Sequence, residues 1–376
     1  MLVCPALNIS AHSQTPVTIA EAGEATLVLD TPAAKSLKCF IEKFNPVLDF
    51  ALRFQAGYVV HCPLRLFEGK KATVHAYLRI TPSGKVPVLL SAAYGLIAIP
   101  PDTPQSTRLT SLKQEVDMSG AFSLGAGDYS VETVVTDDRG RLCRKSWKMH
   151  VAAARSQRRV HLAVPPLTVE PFDRTSWGIQ PSRKSAALRL TIFLDAAPIR
   201  PNESSLRAWD RAFLLESLYS LLRQVPFKSV RLVAFNLEQQ REIYRCVAFD
   251  GDAFQPLFHA LREIETASVS AQALKNRNSP LFLSQLANRE LAEENPADAI
   301  IFLGPASRMD VEIGTDLLPA LKASSPPFFY FKYLGAAFPD SLQRLMMAVN
   351  GKTFLFRSPP ELDQAIQKML ARLKQQ

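Results

Sequence analysis

The stretch Ser341–Leu370, SLQRLMMAVNGKTFLFRSPPELDQAIQKML, decides the fold class. Asp340 precedes it as an N-cap, and Leu342, Leu345, Met346 and Val349 recur at helical spacing. Gly351 stops that helix, because glycine takes the left-handed conformation that ends a helix without a Cβ penalty. KTFLF (352–356) is short, apolar and bounded by turn residues, so it reads as a strand. Ser358-Pro359-Pro360-Glu361 then reads as a capping box with Pro at the first helical position. Leu362, Ala365, Ile366, Met369 and Leu370 form the apolar stripe of the last helix. Helix, strand and helix in so short a span signal α/β winding.

The same alternation extends back to residue 187. In LRLTIFLD (188–195), Leu188, Leu190, Ile192 and Leu194 share one face while Phe193 makes the other apolar too. A strand apolar on both faces suits the centre of a parallel sheet. A helix is expected from Leu206 to Val225, with Leu214, Leu218, Leu221, Leu222 and Val225 on its stripe. VRLVAF (230–235) and IYRCVAF (243–249) read as a hairpin to an edge strand. A helix with Phe254, Leu257, Phe258, Leu261 and Ile264 follows, then one that starts at Ser279-Pro280 and ends near Glu294. DAIIFLG (298–304) and FFYFKYL (328–334) are further central strands. The order β-α-β-β-α-α-β-α-β-α-β-α is a doubly wound, Rossmann-like α/β domain with one antiparallel edge, expected over 187–376.

The N-terminal half has a different rhythm. Residues 18–153 read as strands throughout: ATLVLD (25–30), CFIEKF (39–44), FALRFQAGYVV (50–60), ATVHAYLRI (72–80) and KVPVLLSAA (85–93). Val74, Ala76, Leu78 and Ile80 alternate with His75, Tyr77 and Arg79. Gly127-Asp128-Tyr129 opens a strand through Val131, Thr133 and Val135, which turns at Asp137–Gly140 and returns through Cys143, Trp147 and Met149. An all-β sandwich is the expected fold of this half. Residues 154–186 read as a basic, Pro-containing linker, with Arg155, Arg158, Arg159, Arg174, Arg183 and Lys184 against Glu170 and Asp173. Residues 1–17 read as a tail or the remnant of a signal peptide.

Composition bounds the function. The chain has 376 residues, 21% of them charged and 47% hydrophobic, with a formal net charge of +9. That is the profile of a globular protein of about two domains, not of a disordered tail or a disulfide scaffold. No apolar run is long enough for a transmembrane helix. The five cysteines form no C-x-x-C pair, so a zinc ribbon is not expected. A disulfide within Cys39, Cys62 and Cys143 is one reading and buried free thiols the other. Gly351-Lys352-Thr353 has the end of a phosphate-loop motif, but Met346 stands where its first glycine belongs and the string enters a strand. No G-x-G-x-x-G follows the first α/β strand, and no G-x-S-x-G occurs. His259 is the only histidine of the α/β half, and no nucleophile–base pair is legible.

The α/β order and the quoted tail resemble the von Willebrand factor type A (VWA) domain, whose usual end is a helix, a Gly, a short strand and an acidic-capped helix. The Gly-x-Tyr before the Asp137–Gly140 hairpin resembles the tyrosine corner of immunoglobulin-like and fibronectin-type sandwiches. There is no Cys two residues after Tyr129, so the likeness is to the sandwich architecture and not to antibody domains. The pairing of such halves is similar to bacterial VWA-related proteins.

The VWA resemblance implies a divalent-cation site built from Asp-x-Ser-x-Ser, a Thr and a further Asp. Here Asp195 stands at the first Asp and Ser279 at the Thr, but Ala197, Ile199 and Pro305 fill the other positions. Hard cations need oxygen donors that those three side chains lack, so the resemblance implies a vestigial site, a degenerate metal-ion-dependent adhesion site (MIDAS), and no cofactor. Mg²⁺ or Ca²⁺ enters only if Asn202, Glu203, Ser204 and Asp310 supply oxygens from shifted positions. Otherwise Ser204 or Ser205 is expected to cap the following helix, Glu203 to favour its N-terminus, and Ser279 to act as an ordinary N-cap. The function implied is a non-catalytic protein-binding or assembly module. Its partner is expected on the loops 195–205, 266–279 and 304–314, with Asp195, Asn202, Glu203, Ser204, Ser279 and Asp310 as contact residues. A cation-dependent adhesion-type protein and an enzyme using the sheet-edge crevice are the two other readings. Nucleic acid is not an expected partner, because the basic linker reads as solvated. A truncated N-terminus would place the protein outside the cytoplasm, and a natural start at Met1 inside it.

Overall fold

The computed structural model describes residues 15–16, 19–32, 35–67, 72–96, 115–153, 159–172, 177–182, 187–200, 203, 205–264, 278–306, 317–318, 325–334 and 339–375. The chain divides into two compact units. The first holds residues up to Asp49 and Arg53–Asp173, and the second holds Phe50–Leu52 with Arg174–Gln376.

The first unit is built on two antiparallel sheets. One has the order β1 (Thr15–Pro16), β5 (Val88–Leu96), β4 (Ala72–Pro82), β7 (Gly127–Asp137), β8 (Leu142–Val151). The other has the order β2 (Phe40–Leu48), β3 (Phe54–Pro63), β6 (Glu115–Leu124), β9 (Val169–Pro171). The alternation read in β4 holds: Val74, Ala76, Leu78 and Ile80 are all buried in the core shared with Tyr58, Val60, Phe122 and Val135. Tyr58 and Tyr94 join β3 to β5 through a 3.0 Å hydroxyl contact, and Tyr94 donates to the Ser119 carbonyl at 2.9 Å. These two buried hydroxyls are thus satisfied internally. Cys39 and Cys143 form a disulfide with a Cα–Cα distance of 6.1 Å. Cys62 is buried and free.

Three expectations for this half are corrected. ATLVLD is not a strand but the end of helix α1 (Ile19–Asp30). A short apolar run does not separate strand from helix by itself. Here Ala25 and Leu29, one helical turn apart, pack on Tyr77 and Val134, and Arg144 donates to the Leu29 carbonyl at 2.6 Å and the Thr31 carbonyl at 3.0 Å beyond the last turn. Phe50–Leu52 do not continue into a strand: β3 begins at Phe54, and Leu52 has a positive φ of 60°. Part of the stretch read as linker is sheet. Val169–Pro171 pairs antiparallel with β6, and Gly125, whose Cβ would lie 1.8 Å from the Pro165 carbonyl, lets that segment lie against β7's start. Tyr129 clamps it, donating from one hydroxyl to the carbonyls of Gly125 (2.9 Å) and Thr168 (3.2 Å). The tail 1–14 lies outside the described residues.

The second unit is α/β. Its six-stranded sheet has the order β12 (Arg241–Cys246), β11 (Phe227–Asn236), β10 (Leu188–Asp195), β13 (Ala299–Pro305), β14 (Phe328–Tyr333), β15 (Lys352–Phe356). Every pair is parallel except β11–β12, as the sequence pattern predicts. Both faces are covered. Leu190, Ile192 and Leu194 enter a core with α2 (Ala208–Gln224), α3 (Phe254–Arg262) and α6 (Pro359–Leu373). Phe193 faces α4 (Ser279–Leu291) and α5 (Ser341–Ala348). The helix implied between β13 and β14 falls largely outside the described residues.

Helix ends differ in detail from the expectation. Helix α2 starts after Arg207, and Asp210 supplies the cap by accepting from the Arg207 amide at 2.8 Å. The N-cap of α4 is Asn278, which accepts from Leu281 N at 3.0 Å, and Ser279 is already helical. At α6, Glu361 reaches back to the Arg357 amide at 2.6 Å, not to that of Ser358. A buried ion-pair network ties β10, β11 and β12 to α4. Glu290, fully buried, accepts from Arg231 and Arg245, each at 2.7 Å, and Glu242 accepts from Arg245 at 2.7 Å and Arg289 at 3.2 Å.

Candidate functional site

Parallel strands end together, so their C-terminal residues and the loops after them share one edge of the sheet, where open α/β folds place ligands. Asp195 closes β10 at that edge. It is 1% exposed, and neither carboxylate oxygen has a hydrogen-bond partner of ordinary geometry among the described residues. Burial pushes its pKa well up, the charges of Asp340 and Glu238 push it further, and the Leu237 backbone amide offsets this only in part. Desolvation and like charge both disfavour the ionised form of Asp195.

The neighbouring strands explain the space around it. In the parallel register Leu194 lies beside Leu303, and Gly304 lies beside Lys332. A Cβ on Gly304 would sit 2.7 Å from Asp195 Cβ, so only glycine lets β13 pass at this point. Lys332 is fully buried, and its ammonium pairs with Asp340 at 3.0 Å and donates to Gln343 Oε1 at 3.2 Å. Asp340 caps α5 by accepting from Gln343 N at 2.8 Å, and it lies 3.4 Å from the Tyr330 hydroxyl. That hydroxyl also donates to the Pro305 carbonyl at 3.1 Å. The edge thus carries a tethered cation, an acid that it neutralises, and an acid without a partner.

The residues read from the sequence are placed as follows. Asp195 lies buried at the C-terminal end of β10. Ser279, 1% exposed, receives a hydrogen bond from Gln240 Nε2 at 3.3 Å, and Gln240 also accepts from Asn278 N at 3.2 Å. Glu203 is paired with Arg207 at the approach to α2 and does not join Asp195. Asn202, Ser204 and Asp310 lie outside the described residues, as do 266–277 and 307–314 of the expected contact loops. Within loop 195–205, Asp210 accepts from Ile199 N at 3.1 Å, and Asn236 Nδ2 donates to the Ala196 carbonyl at 2.7 Å.

Three contributors were not singled out as site residues. Asp340 reads as a helix cap and Lys332 as one polar letter in FFYFKYL, and Glu238 falls in the short link between two strands. Lys332 did leave a signal: a lysine inside a central apolar strand must find a buried partner.

No protein-family model matches the chain, and no curated protein does. Among solved structures, the putative ApaA protein from Bordetella pertussis is similar over 33% of this chain and 100% of its own length, at 9% identity and a TM-score of 0.20. The ArnB paralog VWA2 from Sulfolobus acidocaldarius is similar over 64% of this chain and 49% of its own, at 12% identity and a TM-score of 0.27. A Bacteroides uniformis beta-glucuronidase is similar over 90% of this chain and 31% of its own, at 11% identity and a TM-score of 0.20. Likenesses of this size carry no argument about fold or activity.

Proposed function

We propose that the α/β unit is a VWA-like, non-catalytic protein-binding module with a vestigial cation position, and that the first unit is an Ig-like or fibronectin-like sandwich. The six-strand order with a single antiparallel edge supports the first reading. The β2-β3-β6 and β5-β4-β7-β8 orders, with the Tyr129 hydroxyl bonded back to Gly125, support the second.

The observation that carries the proposal is the Lys332–Asp340 pair at the sheet edge. A covalently attached ammonium there supplies the positive charge, while positions 197, 199 and 305 offer no side-chain oxygen. Asp195 alone does not make the six-oxygen cage that Mg²⁺ requires. The residues present do not fit the cation. Partner binding then rests on the loops following β10, α3 and β13. The Cys39–Cys143 disulfide supports a working place outside the reducing cytoplasm.

Titration calorimetry of the full chain with Mg²⁺, Mn²⁺ and Ca²⁺, with Asp195→Ala alongside, tests this. No heat at millimolar metal that depends on Asp195 is the expected result. Stoichiometric binding lost in Asp195→Ala would reject the vestigial site in favour of cation-dependent adhesion.

A further inference from the structure

Sheet β2-β3-β6-β9 buries one face and turns the other outward, and the outward face holds a cluster unrelated to the α/β edge. His61 on β3 lies directly opposite Asp117 on β6, with its Nδ1 2.8 Å from Asp117 Oδ1. Its Nε2 lies 3.4 Å from Glu42 Oε2 on β2. Glu115, two residues from Asp117 on the same face of β6, brings a third carboxylate. One ligand atom each from His61, Glu115 and Asp117 lies within 4.8 Å of the others. The Phe40 ring stacks on the imidazole, with centroids 6.0 Å apart.

We infer that this face carries a divalent transition-metal site, with His61 Nδ1, Asp117 and Glu115 as ligands and Glu42 as the residue that orients the histidine. The donor chemistry selects the metal. One imidazole and two carboxylates suit a borderline cation such as Zn²⁺ better than Mg²⁺ or Ca²⁺, which favour all-oxygen shells. The geometry fits as well. Two donors about 2.1 Å from one Zn²⁺ in tetrahedral arrangement lie about 3.4 Å apart. The Nδ1–Oδ1 pair, hydrogen-bonded at 2.8 Å, opens by about 0.6 Å to reach that value, and the exposed Glu115 swings inward.

The second ring nitrogen provides an independent support. In bound histidines the nitrogen away from the metal donates to a carboxylate or carbonyl, which fixes the tautomer. Glu42 occupies that position, on the opposite side of the ring from Asp117. Three strands thus converge on one imidazole, with solvent left to complete the coordination shell.

Protons compete for the same nitrogen. Burial opposes a charge on His61, but the Asp117 hydrogen bond and charge, with Glu42 and Glu115 behind them, outweigh it and raise its pKa above the usual histidine value. Metal binding therefore weakens as pH falls.

The test is Zn²⁺ titration calorimetry on the full chain at pH 7.5 and pH 5.5, for wild type, His61→Ala, Asp117→Asn, Glu42→Gln, Asp195→Asn and Cys246→Ser. These side chains face solvent on the sheet, so the first three variants keep the fold, which circular dichroism checks. The expected result is one Zn²⁺ per chain at pH 7.5, weakened at pH 5.5. His61→Ala and Asp117→Asn weaken it by about tenfold or more, Glu42→Gln weakens it with unchanged stoichiometry, and the last two variants leave it intact. No binding up to about 1 mM, binding that survives His61→Ala, or binding lost in Asp195→Asn or Cys246→Ser overturns the inference.

Discussion

Replacing Asp195 with Asn removes a titratable group while keeping its shape. The wild-type carboxyl has a raised pKa in the folded state, first from burial and then from Asp340 and Glu238. In the unfolded chain it titrates near the ordinary aspartate value of about 3.9. Between these two values the folded state holds one proton that the unfolded state has lost. Folding stability then falls as pH rises, by about 1.4 kcal/mol per unit for one proton. Each pH unit of that range is worth about 3–6 °C in Tm for a unit of this size. The amide of the Asp195→Asn variant does not titrate, and it carries no charge for Asp340 and Glu238 to repel. Tm measured by differential scanning calorimetry at pH 5, 6, 7 and 8 for both chains isolates the effect, because all other groups cancel in the difference. The variant should gain on the wild type steadily with pH. Parallel Tm curves, or a variant that loses ground at pH 8, would refute a neutral buried carboxyl at this edge and point to a paired, ionised Asp195.

Three further outcomes follow from the structure. Reducing the Cys39–Cys143 disulfide, or replacing both cysteines with Ser, releases a loop of sequence separation 104 and should lower urea-unfolding stability of the first unit by about 4.7 kcal/mol on chain-entropy grounds; a change below about 1 kcal/mol would sink that estimate. Glu290→Gln leaves Arg231 and Arg245 without their shared buried partner and should cost about 3–5 kcal/mol, read from denaturant melts of the second unit. Tyr129→Phe removes the hydroxyl bonded to Gly125 and Thr168 and should cost about 1–2 kcal/mol, with hydrogen exchange quickening first at residues 165–171.

The α/β half was legible because its signals are local. A strand such as Leu188–Asp195 is apolar on both faces only if helices cover both, and Asp340 starts α5 through its own side chain. The end of α5 differs from the expectation in detail: Asn350, with a φ of 54°, takes the left-handed conformation expected of Gly351. The first half was less so. Ala25 and Leu29 form a helical stripe only once Tyr77 and Val134 are there to receive it. Val169–Pro171 is three residues long and has no pattern to read; β6 made it a strand. Cys39, Cys62 and Cys143 offered three pairings, and the bridge of Ser36 and Leu37 to Leu142, ahead of β2, brings Cys39 to Cys143.

The two clusters divide the same way. The sequence by itself determined that Asp195 ends a central strand and that positions 197, 199 and 305 lack oxygen donors, because strand periodicity and residue chemistry are properties of short segments. It left Lys332 and Asp340 apart, and it left His61, Glu42, Glu115 and Asp117 scattered over three strands. Their meeting depends on sheet register: Gly304 beside Lys332, and His61 opposite Asp117. Register is set by the whole set of buried faces at once, and a slip of one residue in a strand would turn its side chains, Lys332 or His61 among them, to the other face. Only the tertiary structure decided it.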